Sequence, residues 1–386
     1  MTPRPLPLTA SLLLALLLTT SLTAADTPHE GSLDAFVSEA ELDIQPVFKG
    51  GRFPNIVITT KGTLLATWGH QLIRSRRSQD GGQTWDDEVV IANSGIHGGG
   101  TTVDETTGDI FAFVETQHPP APITVYRSTD DGKSWQPHES TIVPDSEGRK
   151  PSMHMNEHGI TLRHGSHKGR LIRPTRYYGA GNRPESIWPT HFTNAIYSDD
   201  GGKTWQTSEP FPENGTGEAT IAELSDGTLY YNSRRHWAPE GKNPRRRWVA
   251  FSHDGGQTWQ DSDICKVLPD GPQNTNYGCM GGLVRLPVQG QDILVYSNCD
   301  SPDGRHHGTV WASFDGGKTW PIKRLVTEGS FAYSSLTAGR PGTPTEGWIY
   351  LHFESEGSSK VARFNLSWLL DGQPTGDGNV PDEVKR

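Results

Sequence analysis

Beyond its first twenty-five residues the chain lacks any apolar run long enough to cross a bilayer as a helix, and it has little alanine-rich or heptad-like sequence. The first absence speaks against a membrane span, the second against an all-α fold or a coiled coil. Positive charge is also short. Lys and Arg number 35 against 45 Asp and Glu, a net charge of −10, so nucleic acid and anionic membrane are poor candidates for the main partner. Cysteine is scarce. Cys265, Cys279 and Cys299 cannot all pair within one chain, although Cys279 and Cys299 flank two strand-like runs, 283–286 and 293–297, and a bridge between neighbouring strands is open to them in an oxidising compartment.

What is present begins with an export signal. Arg4 supplies a positive start, Leu8 to Leu18 is almost wholly apolar, and Thr23-Ala24-Ala25 offers small residues for cleavage. The expectation is a signal peptide over 1–25 and one folded domain over 26–386, secreted or periplasmic, and monomeric. With 44 Gly, 28 Pro and 12 Trp, that domain reads as many short strands joined by tight turns.

Repeats decide which all-β fold it is. Five segments follow Ser-x-Asp-x-Gly-x-x-Trp: SQDGGQTW (78–85), STDDGKSW (128–135), SDDGGKTW (198–205), SHDGGQTW (252–259) and SFDGGKTW (313–320). The Ser and Asp side chains can bond to amides of a hairpin turn, the Gly accepts positive φ, and the Trp packs the turn onto its sheet. In step with them run six short strands, GTLLATW (62–68), GDIFAFVE (108–115), GRLIRPTRYY (169–178), GTLYYNSR (227–234), DILVYSN (292–298) and GWIYLHFE (347–354). Their spacing averages about 57 residues, enough for a four-stranded blade. The count predicts a six-bladed β-propeller, its last blade completed by a strand from residues near 35–48. The turn motifs build hairpins at the rim and carry no chemistry.

A propeller gathers inner-strand ends around a central depression, so polar residues beside the six strands are the candidates for chemistry. Arg52 precedes the first strand and His70 follows it. Glu218 precedes the fourth and Arg234 follows it. Arg305 lies beyond the fifth, Tyr333 precedes the sixth and Glu354 ends it. The stretch 153–170 is rich in histidine, but the spacing of His154, His158, His164 and His167 matches no firm metal pattern, and these read as loop and groove residues. Arg173, Arg176, Tyr177 and Tyr178 end the third strand and could contact a sugar's side arms, with 180–191 as a pocket wall. No metal or other cofactor is called for.

On GGRFPNIV (50–57), GEATIAELSDGTLYYNSR (217–234), YSNCDSPDGRHHGTVWASFDGGKTW (296–320), FAYSSL (331–336) and HFE (352–354), together with the turn motifs, the chain resembles the exo-sialidases, or neuraminidases. The resemblance implies a sialidase-type propeller and a retaining glycoside hydrolase. It puts an arginine triad on Arg52, Arg234 and Arg305, a nucleophile on Tyr333, its base on Glu218 and a support for Arg52 on Glu354. The physics agrees. Three guanidiniums suit the carboxylate of sialic acid. A phenol avoids setting an anion against that carboxylate, and sialidases are an exception to the two-carboxylate rule of glycosidases. A phenol is a poor nucleophile at neutral pH, so a carboxylate must activate it.

One part of the pattern is missing. Sialidases carry an acid–base aspartate between the first strand and the first turn motif. Here that interval, 66–82, holds only Asp80, already used by the turn. His70 stands nearest and could donate the proton instead, or merely line the pocket. An enzyme acting on another acidic sugar, by hydrolysis or elimination, and a non-catalytic glycan-binding propeller are the alternatives. An acidic glycan or sialoglycoconjugate is the expected partner throughout.

Overall fold

In the computed structural model, which describes Met1 and residues 29–385 apart from 240 and 273–277, six sheets, antiparallel but for one short outer pair, follow one another along the chain. The proposed export signal, after Met1, lies outside the described residues. No helix among the described residues is long and apolar enough to cross a membrane.

Each sheet is one blade. Blade 1 runs Asn55–Ile58, Leu64–Trp68, Ile73–Ser78, Val89–Ala92, and the other five repeat that order. The sixth blade is closed by Leu42–Lys49 from the start of the chain, paired antiparallel with Ser358–Phe364. That strand joins the two ends of the chain, so the ring closes through a sheet. Two blades carry an extra outer strand. Thr141–Ile142 pairs in parallel with Thr204–Thr207 in blade 3, and Gln373–Pro374 adds to blade 5.

The six strands singled out in the sequence are present, but each is second in its blade and not innermost. The innermost strands come before them: Asn55–Ile58, Ile96–Val103, Ile160–Thr161, Thr216–Glu223, Gly282–Arg285 and Ser334–Ala338. The second strands caught the eye because they are buried on both faces, for example Leu64, Leu65 and Ala66 or Tyr350 and Leu351, and so read as unbroken apolar runs. Inner strands are rich in Gly, Thr and Ser.

The five turn motifs sit between the third and fourth strands and repeat one geometry. In the first, Ser78 Oγ donates to Asp80 Oδ1 at 2.8 Å and accepts from Gly82 N at 2.9 Å, while Asp80 Oδ1 accepts from Thr84 N at 3.0 Å. In the fourth, Ser252, Asp254, Gly256 and Thr258 make the same bonds at 2.7, 2.9 and 3.1 Å. The motif also joins blades. A Cβ on Gly202 would come 2.7 Å from Phe111, and one on Gly256 2.0 Å from Ile172. Both partners lie on the second strand of the preceding blade. Trp205, from the third motif, packs edge-on against Phe111 and Phe113 of that same blade.

All three cysteines are free, which corrects the Cys279–Cys299 bridge. The two thiols interact, but Cys299 Sγ is turned to the carbonyl of Phe331 at 3.0 Å.

Candidate active site

At one end of the axis the inner strands depart from regular pairing. The register slips between Thr216 and Ala219 in blade 4 and between His97 and Thr101 in blade 2. In blade 3, Ser152 pairs with Arg176 and Ile160 with Ile172, leaving 153–159 as a bulge that crosses the axis. Bulges re-aim side chains. The slip in blade 4 turns Glu218 inward, where it is wholly buried.

Glu218 Oε1 accepts a hydrogen bond from the Tyr333 hydroxyl at 3.0 Å, and its Oε2 accepts from Arg234 Nη1 at 2.7 Å. Burial alone would raise the Glu218 carboxyl, but Arg234, with help from Arg176 and Arg305, holds it below the ordinary value. Burial and the Glu218 charge push the Tyr333 phenol well above its usual range, against the pull of Arg305 and Arg234. An ionised carboxylate therefore faces a protonated phenol. That is the state a base-activated nucleophile starts from.

The other candidates gather round this pair. Arg52 makes a two-pronged bond to Glu354, Nε to Oε1 at 3.1 Å and Nη2 to Oε2 at 3.2 Å. Glu354 Oε1 also accepts from Phe53 N, and Phe53 is held at φ +70, a region unusual for a non-glycine residue. The guanidinium carbons of Arg52 and Arg305 lie 5.0 and 4.9 Å from the centre of the Tyr333 ring. Arg305 Nη2 donates to the Gly278 carbonyl at 3.0 Å. Arg52, Arg234 and Arg305 thus converge on one place, with Glu218 and Glu354 as their carboxylates. The excess of cationic groups suits an anionic ligand.

His70 is exposed at the mouth, its ring edge-on to Phe53 at 5.9 Å; Phe53 in turn stacks on Tyr333 at 6.2 Å. His70 is one ring removed from the phenol.

Residues at the end of the third strand divide. Tyr177 is half-buried and stacks on Phe192. Arg173 does not reach the mouth. It is fully buried beneath the blade 2 bulge, bonded to the carbonyls of Gly99 and Gly100, and burial lowers it to about 9. Arg176 is buried beside Glu218, under Gly217, where a Cβ would come 2.9 Å from its guanidinium. Its hydrogen bonds go to uncharged partners or neutral rings, Tyr178 Oη at 3.2 Å and His191 Nδ1 at 2.9 Å, and burial together with Arg176 lowers His191 to about 4. Tyr178 is buried among His118, His154 and His191. Segment 180–191 contains a short 3-10 turn, Glu185–Thr190, whose Trp188 packs on His236 at 4.7 Å.

The histidine-rich stretch also divides. His154 and His158 are buried at the axis. His164 lies at the opposite end near Glu30, 3.3 Å away, and His167 is in the 3-10 turn Gly165–His167. Among the described residues no cluster of His, Cys, Asp or Glu could hold a metal ion. Sequence reasoning missed Met155, Glu115 and Asp270. Burial raises both carboxyls, each to about 7. The only signal for this region was a run of polar and sulfur residues, Ser152 to His158, where an inner strand should be.

Six blades, repeated Asp-containing turns and an arginine-ringed tyrosine at the axis are the marks of a sialidase-type propeller. The chain belongs to the BNR repeat-like domain family, whose profile matches residues 67–344, and it is a sialidase-family member with BNR repeats. It is 32% identical to a sialidase of Micromonospora viridifaciens over 83% of this chain and 52% of that one. Against a sialidase of Bacteroides fragilis the identity is 28%, over 74% and 57%. The chain thus spans little more than half the length of these curated relatives. Among solved structures it resembles a Hadza microbial sialidase (26% identity, TM-score 0.65, covering 83% of this chain and 66% of that one). It also shares its fold with the intramolecular trans-sialidase of Ruminococcus gnavus (17%, TM-score 0.62, 84% and 95%).

Proposed function

We propose that the protein is an exported exo-acting sialidase that releases terminal sialic acid from glycoconjugates with retention of configuration. The observation that carries this reading is the 3.0 Å hydrogen bond from Tyr333 to the ionised Glu218 in a ring of three arginines. A binding protein needs the arginines but not an activated phenol.

In this reading Arg52, Arg234 and Arg305 hold the substrate carboxylate, with Glu354 fixing the Arg52 plane. The Tyr333 oxygen attacks the anomeric carbon while Glu218 takes its proton. The bond to the aglycone breaks, and its oxygen receives a proton from an acid at the mouth. Water then attacks the glycosyl-tyrosine, giving its proton to that same group, and Tyr333 leaves as a phenol with the proton returned from Glu218. His70 is the candidate for the acid, because it stands at the mouth one ring from Tyr333.

The test is incubation with an aryl α-sialoside and with a natural sialoglycan, with products identified by mass. Release of sialic acid from both supports the reading. His70→Ala should harm the natural glycan far more than the aryl substrate, whose leaving group needs little protonation. Equal losses would make His70 a binding residue. The absent loop aspartate favours one second reading, a sialidase fold acting on another acidic sugar such as a uronic acid. Cleavage of an acidic polysaccharide but of no sialoside would select it.

A further inference from the structure

The Tyr333 hydroxyl has a second neighbour. Met155 Sδ lies 3.2 Å from the same oxygen. The hydroxyl has one hydrogen, and the Glu218 carboxylate is the stronger acceptor, so the thioether faces the remaining lone pairs. Those are the electrons that would attack a sugar. Reacting atoms must approach to roughly 3–3.5 Å, so a substrate carbon and the sulfur cannot occupy that position together.

Beside them Phe53, Gly98, Met155, Asn156, Met280 and Tyr333 line a cavity of about 10 Å³ that none of the three arginines reaches. Tyr333 is 3% exposed, whereas Met155 is only half-buried. Met155 sits at the turn of the axial bulge, at φ +58, where non-glycine residues are uncommon. The residues that follow it are anchored. Asn156 N donates to the Gly98 carbonyl at 3.1 Å, and Asn156 Oδ1 accepts from Ala219 N at 3.1 Å. Glu157 Oε1 accepts from Asn55 Nδ2 at 2.9 Å. The backbone is pinned from blades 1, 2 and 4, while the Met155 side chain packs against the neighbouring core and, unbranched and with three rotatable bonds, can change rotamer.

We propose that Met155 is a gate on the Tyr333 phenol, a specificity-determining residue that covers the attacking oxygen at rest and is displaced by the bound sugar. The proposal rests on Tyr333 as nucleophile. Its consequence is a split between kinetic constants. The closed form binds no substrate, so apparent affinity is reduced by the fraction of molecules that are open, while the loaded complex is already open. Truncation should therefore lower KM and leave kcat nearly alone.

Two readouts test it on Met155→Ala and on Met155→Gly, the second of which suits the positive φ should the first fold poorly. One is steady-state cleavage of an aryl α-sialoside. The other, independent of activity, is nitration of Tyr333 by tetranitromethane in the folded protein, followed by peptide mass. The expected result is a KM about threefold to tenfold lower at similar kcat, with Tyr333 nitrated severalfold faster. Unchanged KM and unchanged nitration would overturn the gate, as would a fall in kcat at constant KM. Faster nitration with no sialoside cleaved by any form would uphold the gate and defeat the sialidase reading instead.

Discussion

The turns between outer strands and the bulges at the axis use similar residues to opposite ends. In the turns, Ser, Asp and Gly satisfy one another within seven positions, and the same bonds recur wherever the sequence recurs. At the axis, Asn55, Glu157 and Ser335 meet across 102 to 280 positions of chain, and buried polar atoms such as Glu115 Oε2 and both ring nitrogens of His154 have no hydrogen-bond partner. Leaving such groups unmade costs roughly 1–3 kcal/mol each. The turns too leave some groups unmet, the indole nitrogens of Trp85, Trp135 and Trp320, but there they belong to apolar rings, whereas at the axis they belong to titratable side chains. Poorly satisfied polar groups clustered at one mouth mark where a ligand is expected.

That contrast breaks most visibly at Tyr333. Tyr333→Phe removes the attacking oxygen and little else, so kcat on an aryl sialoside should fall by about 10³-fold or more with the melting temperature nearly unchanged. A comparable loss of stability would make Tyr333 a structural residue. Arg305→Ala should cost about 2–4 kcal/mol of acidic-sugar affinity, read as a raised KM. At the rim the sign reverses. Gly256→Ala combines φ +87 with a 2.0 Å clash on Ile172 and should cost about 3 kcal/mol of stability, with kcat preserved in the folded fraction. Asp254→Ala, which leaves the backbone alone, should cost about 1 kcal/mol.

A further effect is one of pH. Burial raises the Glu115 carboxyl to about 7 from an ordinary 4.5. A raised folded value means that its contribution is complete below about pH 4.5 and is lost as pH climbs towards 7. Glu115→Gln imitates the protonated form. It should melt close to wild type at pH 5 and up to about 3 kcal/mol more stably at pH 8. An identical difference at both values would remove Glu115 from the titrating groups.

Blade number was legible because the turn motif is local: five copies of Ser-x-Asp-x-Gly-x-x-Trp each fix a hairpin without help from the rest of the chain. Strand order within a blade was not legible. The second strands, Leu64–Trp68 or Ile349–Ser355, are the most apolar, whereas the true inner strands carry Gly98, Thr101, Glu218 and Ser335 for packing at the axis. Residues at the mouth were reachable by resemblance, since Arg52, Tyr333 and Glu354 sit in short recognisable segments. Arg176 was picked out only by its place at the end of the third strand, and Met155 not at all, because the bulge in blade 3 that presents it has no sequence signature until the partner strand is known. His154 read as an ordinary loop histidine for the same reason.

The central claim is that Tyr333 forms the bond to the sugar. It is tested most directly by quenching the enzyme in acid during turnover of a fast aryl α-sialoside and weighing its peptides. The account predicts that the peptide containing Tyr333 carries one sialyl residue, that the adduct disappears when substrate is exhausted, and that Glu218→Gln accumulates none. Tyr333 unmodified throughout turnover, with the product released in inverted configuration, would contradict it.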